Sequence, residues 1–185
     1  MTMAPGMRKG ALVAHVGSSV GWLGAIATSL VIAVAGLADA DGHMVRAAYL
    51  SLQVIGRYAL VPLSLASLVT GLIQSLGTPW GLLRHYWVVT KLLMNIFATG
   101  LLLLYMQTLS YLADLARAVT STADLDRLRD PSPVVHAAAA VALLLVALVL
   151  SIYKPRGMTA YGRRKQHRLR TATANTRAEQ VISQG

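Results

Sequence analysis

The chain contains no cysteine. That excludes disulfides, zinc-finger spacings, cysteine-ligated iron–sulfur clusters and haem attached through C-x-x-C-H, and it leaves the redox compartment open. Charge is scarce as well. Only 13% of the 185 residues are charged, against roughly 25% in a soluble domain, while 55% are hydrophobic. Seven residues are acidic, and none of them lies in a long apolar run. Phosphate loops, nucleophile elbows and paired carboxylates are missing, so hydrolase and kinase chemistry lack their parts.

What is present points to a bilayer. A spanning helix needs about 20 apolar residues, and four stretches supply them: residues 11–37, 47–76, 87–108 and 134–153. The first, preceded by Arg8 and Lys9, is far longer than the roughly 7–15 residues of a signal-peptide core, so it is expected to be a retained helix. The fold class predicted is all-α, a polytopic four-transmembrane-helix antiparallel bundle over residues 1–170. A polar, disordered tail is expected over 171–185.

The net charge of +10 is unevenly placed, since eight of the 17 basic residues follow position 153. A basic juxtamembrane tail with no interleaved aromatics reads as a topology signal facing anionic lipid headgroups, not as a nucleic-acid site. Six of the seven acids fall in the segments near 38–46 and 109–133. The positive-inside rule then puts both termini in the cytoplasm of a cell whose inner (plasma) membrane holds the chain. "SLGTPWG" offers Gly77 as a helix stop, Thr78 as N-cap and Pro79 at the first helical position, a tight hairpin between helices two and three. "DPSPVVH" offers Ser132 as N-cap and Pro133 at N1 of the fourth helix. Between them, 113–130 is expected as a short surface helix or ordered loop.

Polar residues inside the spans carry the functional signal. Lys91, Asn95 and Thr99 recur at i, i+4, i+8 and so share one helical face. Ser64, Ser67, Gly71 and Gln74 share another. His15, Ser19 and Trp22 share a third, beside a ladder of Gly17, Gly21 and Gly24 that would let helices approach closely. A lysine at a helix centre costs about 2.5–3.5 kcal/mol on insertion scales. Lys91 can therefore either snorkel to the headgroups or face an anionic ligand, because no span supplies an acid to pair with it. His15 is a candidate metal ligand or a hydrogen-bonded packing residue. His136 sits in the first turn of the fourth helix, towards the outside, as a candidate ligand or a packing residue. Arg57 is either an outer anchor or a buried cation: counting back from a turn at Gly77 and Thr78 makes it level with about Thr99.

"HVGSSVGW" (15–22), "RYALVPLSLASLVTGL" (57–72) and "WVVTK" (87–91) together resemble the first three helices of the four-helix membrane protoporphyrinogen oxidases and the related copper-resistance D membrane proteins. "TPWGLLRHYWVVTK" and "YKPRGMTAYGRRKQ" resemble a family of small integral membrane proteins without an assigned activity. The resemblance covers about residues 10–165. It implies haem b or a porphyrin as cofactor, with His15 and Lys91 as the site pair. Val89 stands where those oxidases place a histidine, and Gly56 where they carry an acid beside the arginine. The likeness therefore implies a shared bundle and pocket more than a shared reaction.

On this reading His15 serves as axial ligand or proton acceptor and Lys91 holds a propionate. Asn95 and Trp22 line the same site, and Arg57 with His136 forms a second pair towards the outside. The alternatives are a small transporter component, which the scattered methionines do not favour, and a structural or accessory subunit. Whether the chain is an enzyme stays open, as does a homo-oligomer or a membrane partner protein.

Overall fold

The computed structural model describes residues 3–39, 41–77, 82–118, 128–153, 157–164, 166–168, 170, 171, 174 and 180. Among these the chain is helical throughout, without a strand; an isolated bridge pairs His85 with Met158. Four helices are long and apolar enough to cross a membrane. They comprise α1 (Pro5–Ala38), the continuous pair α2 (Gly42–Ile55) and α3 (Val61–Gly77), α4 (Tyr86–Ala118) and α5 (Ser132–Tyr153). Each neighbours the next around a ring: α1 packs on α2, α3 and α5, and α4 on α2, α3 and α5. The expected disorder of 171–185 falls almost wholly outside the described residues, as do Thr78 and Pro79.

Between α2 and α3 runs one π-helical turn, Gly56–Leu60, closed by Val61 N–H donating to Gly56 O. Pro62 accounts for it. A proline cannot donate to the carbonyl four residues back and clashes with it, and one extra residue in the preceding turn relieves the clash without breaking the helix.

The spans exceed the sequence-derived ranges, chiefly at one end. α5, at 22 residues, is about 33 Å long and matches a bilayer core. Tyr105 bonds Ser132 at 3.0 Å, so α4 passes the start of α5 there and continues to Ala118. Residues 113–118, expected in a separate surface element, are thus the end of α4. Beyond that level the ends of α1, α2 and α4 close a dense core of Ala33, Val45, Tyr49, Leu52, Leu109, Leu112 and Ala116, capped by Leu128. Tyr49 ties the cap down: its hydroxyl donates to Leu128 O and accepts from Asp130 N at 3.2 Å. Tyr49→Phe keeps the ring and strands both backbone groups, so it is expected to cost about 1–3 kcal/mol of stability in thermal unfolding. No change in midpoint would show that the hydroxyl holds nothing.

The start of α5 also differs from expectation. Ser132 is the first helical residue, not the cap; Pro131 O accepts the first helical bond from Val135 N, and Asp130 Oδ1 accepts from Ser132 N. At the opposite end, Met3 N donates to Gly77 O and Thr159 N to Arg84 O, so the N-terminus and residues 157–164 lie together. Gly162 sits so close to Arg84 O that a side chain there would collide with backbone. The described acids Asp39, Asp41, Asp114 and Asp130 all lie at the α5-start end, here the acidic end. Arg8, Lys9, Arg84 and Lys91 lie towards the other, the basic end.

Candidate functional site

Inside the basic half the helices enclose a cavity of about 670 Å³. Three faces anticipated from helical spacing meet on it. His15, Ser19 and Trp22 come from α1; Ser67, Gly71 and Gln74 from α3; Lys91 and Asn95 from α4. α5 adds Leu143, Leu144, Ala147, Leu148 and Ser151. Thr99 continues the polar seam inward by donating to Asn95 Oδ1 at 3.4 Å, and buried Ser64 bonds its own backbone at Val61 O.

Ser67 is the hub. Asn95 Nδ2 donates to its hydroxyl at 3.2 Å, and that hydroxyl shares a 2.8 Å bond with Ser19 Oγ. Its carbonyl fixes His15. A carbonyl oxygen only accepts, so the 3.1 Å contact from His15 Nδ1 to Ser67 O makes Nδ1 the protonated nitrogen. Thr70 agrees with this assignment, since its hydroxyl donates to Ala66 O at 2.6 Å and receives His15 Nδ1 at 3.1 Å. Neutral imidazole then keeps the Nε2 lone pair for a metal or a proton. Gly71 is the platform under the ring: a Cβ there would come within 3.1 Å of His15 Cε1.

Lys91 lines the cavity and holds its Nζ 5.4 Å from the centroid of Trp87, one turn towards the basic end. Its stem borders the cavity while the ammonium rides over the Trp87 indole. Arg8 and Lys9, which the sequence marks only as topology signals, border the cavity as well. Among the described residues no acid lines the cavity. Two buried donors, Trp22 Nε1 and Gln74 Nε2, have no hydrogen-bond partner among the described residues.

Arg57 and His136 lie elsewhere. Gly56 abuts Met106 and Ser67 bonds Asn95, so Arg57 is level with about Tyr105 rather than Thr99. The count from Gly77 assumed a two-residue turn, whereas α4 starts only at Tyr86. Arg57 projects outward, exposed, from the π-turn. His136 stacks on Tyr105 at 3.9 Å and donates from Nδ1 to Ser132 O at 2.8 Å. These two residues therefore belong to the acidic end, away from His15. The glycine ladder of α1 is also not the seam expected: Gly21 approaches Leu63, while Gly17 and Gly24 face nothing within 4 Å.

Chemically, the site joins apolar walls, cations at its basic end and one oriented imidazole. Among the described residues no group of three or more His, Cys, Asp or Glu is placed to hold a metal ion. A bare ion would find His15 alone, whereas a metallated macrocycle brings its own equatorial nitrogens. In comparisons with protein-family models, curated proteins and solved structures, the chain matches none.

Proposed function

We propose that this is a multi-pass protein of a bacterial inner membrane, termini in the cytoplasm, that binds haem or a related porphyrin in the basic-end cavity. The observation carrying this reading is the asymmetry of the cavity: Arg8, Lys9 and Lys91 border it, and among the described residues no acid does. Arg8 and Lys9 are exposed at its mouth and Lys91 is half-buried, and an anion entering there would form charge-assisted bonds with them. A porphyrin offers two carboxylates on a flat apolar body, and its iron accepts an imidazole nitrogen such as His15 Nε2. Bound iron would supply one-electron redox chemistry. The chain's own residues would hold the group: His15 through Nε2, Lys91 with Arg8 and Lys9 at its carboxylates, and Asn95 and Trp22 along the inner wall. The family likeness of "HVGSSVGW" and "WVVTK" supports the same pair. Orientation rests on the gathering of the described acids at one end, shared there with Arg46, Arg57, Arg117 and Arg129, against Arg8, Lys9, Arg84 and Lys91 towards the other with no described acid; the basic residues after 153 would face anionic lipid.

Haem titration of the purified protein in nanodiscs, followed by absorbance, tests the reading. A saturable Soret band is expected, and Lys91→Met should weaken affinity about tenfold or more, the worth of one charge-assisted bond. A protein that takes up no haem overturns it.

A further inference from the structure

The cavity wall supplied by α5 is thinner than the others. Among the described residues of α5 only Pro133 is buried. Among the described residues α5 has no backbone neighbour in α3, and its Ala140, Val141, Leu143 and Leu144 pack on the cluster of Trp22, Ile26, Leu60 and Ala98. Towards the basic end several cavity-lining side chains of α1 and α5 are exposed. Leu12, Val16 and Val20 on α1 and Leu148 on α5 all border the cavity, yet they are 51%, 48%, 59% and 43% exposed. Side chains that line a cavity and remain half-exposed stand at its rim. Arg8 and Lys9, exposed as well, complete the rim at the headgroup end; deeper, one to several turns inside the spanning helix, it is leucine and valine, and a rim of that kind opens onto hydrocarbon.

We propose that the cavity opens sideways into the bilayer between α1 and α5. Its ligand is therefore a membrane-dissolved acid that slides in from the leaflet, apolar body first, until its anionic group meets Arg8, Lys9 and Lys91. Charge and depth agree: the cations mark the basic end, at headgroup level, and the apolar rim lies deeper. A water-soluble anion would have no need of that rim. The inference shares its cavity with the tetrapyrrole reading but not the identity of the ligand.

Trp22, 1% exposed at the inner wall, is a built-in reporter. The protein with Trp80→Phe and Trp87→Phe keeps it as the sole tryptophan and goes into vesicles containing dibromostearic acid, with stearic acid as control. Bromine on the acyl chain is expected to quench Trp22. Bridging Val16→Cys to Leu148→Cys with a short bis-maleimide should bring emission back to the stearate level; the native chain has no cysteine to compete. Val20→Cys with Leu144→Cys provides a second pair should the first not fold, and the single-cysteine proteins control for labelling. Undiminished Trp22 emission, quenching that survives both bridges, or quenching by aqueous iodide instead would each overturn the lateral opening. The haem titration separates the two ideas. Bridge-sensitive quenching without haem uptake removes the tetrapyrrole and leaves the opening, while haem uptake without such quenching does the reverse.

Discussion

His15→Ala is expected to cost the protein its haem-binding signature while leaving the bundle intact. The chain holds the imidazole from behind, by Ser67 O and Thr70 Oγ1 on Nδ1, and among the described lining residues no other histidine or carboxylate joins its Nε2 as a metal ligand. Changing groups that merely orient a ligating histidine costs about 10–100-fold in affinity, so loss of the histidine itself should cost at least about 100-fold. Gly71→Ala is the sharper variant because it keeps His15 and moves it. The new methyl would stand 3.1 Å from Cε1, so the ring must tilt away from the α3 carbonyl that sets its tautomer. An affinity loss of about 10–100-fold is expected, with a shifted Soret band rather than a missing one. The folding midpoint should barely change in either variant, since Ser19, Ser67, Asn95 and Thr99 bond one another without His15. Equal haem affinity for parent and His15→Ala would end the axial role, and a collapse of stability in both variants would make His15 a packing residue instead.

Much of this site was legible in the sequence because helical periodicity is a local property. Lys91, Asn95 and Thr99 had to share a face once their segment was helical, and so did His15, Ser19 and Trp22; the bundle needed only to turn those faces inward. Arg57 shows where that logic stops. Its depth depends on pairing two helices across a turn, and the signal at Gly77, Thr78 and Pro79 marked where one helix ended without giving the distance to Tyr86. An eight-residue connection in place of two moved the register by about two helical turns and carried Arg57 from the apparent middle of the bundle to its acidic end. The cap of α5 went the same way on a smaller scale. Ser132 and Asp130 are both capping residues by type, and only the backbone geometry decides that Asp130 takes the free N–H while the Ser132 hydroxyl turns to Tyr105.

Gly36 exposes the same limit and yields an expected change in stability that tests a helix–helix seam directly. α1 carries a glycine ladder at 17, 21 and 24 that invites a close helix contact, yet the close contact lies elsewhere. A Cβ on Gly36 would fall 2.6 Å from Ala48 Cβ, an atom with no rotamer in which to retreat. Gly36→Ala must therefore push α1 and α2 apart beside the buried Ala33, Val45, Tyr49 and Leu52. Alanine gains about 1 kcal/mol over glycine in helix propensity, but overpacking a filled core costs typically about 1–3 kcal/mol and reaches beyond the one contact. The net result should be a midpoint lowered by up to about 8 °C. Ala48→Gly alone is mildly destabilising, through propensity and one lost methyl. Together, Gly36→Ala and Ala48→Gly move a single methyl from one helix to the other and restore the separation, so the double variant should be more stable than the Gly36→Ala protein. The coupling expected in this cycle is about 1–2 kcal/mol, well above the 0.3–0.5 kcal/mol or so by which independent sites miss additivity. Additive effects would mean that α1 and α2 are not in contact at this pair, and with that the packed end that holds the four spans in register would lose its seam.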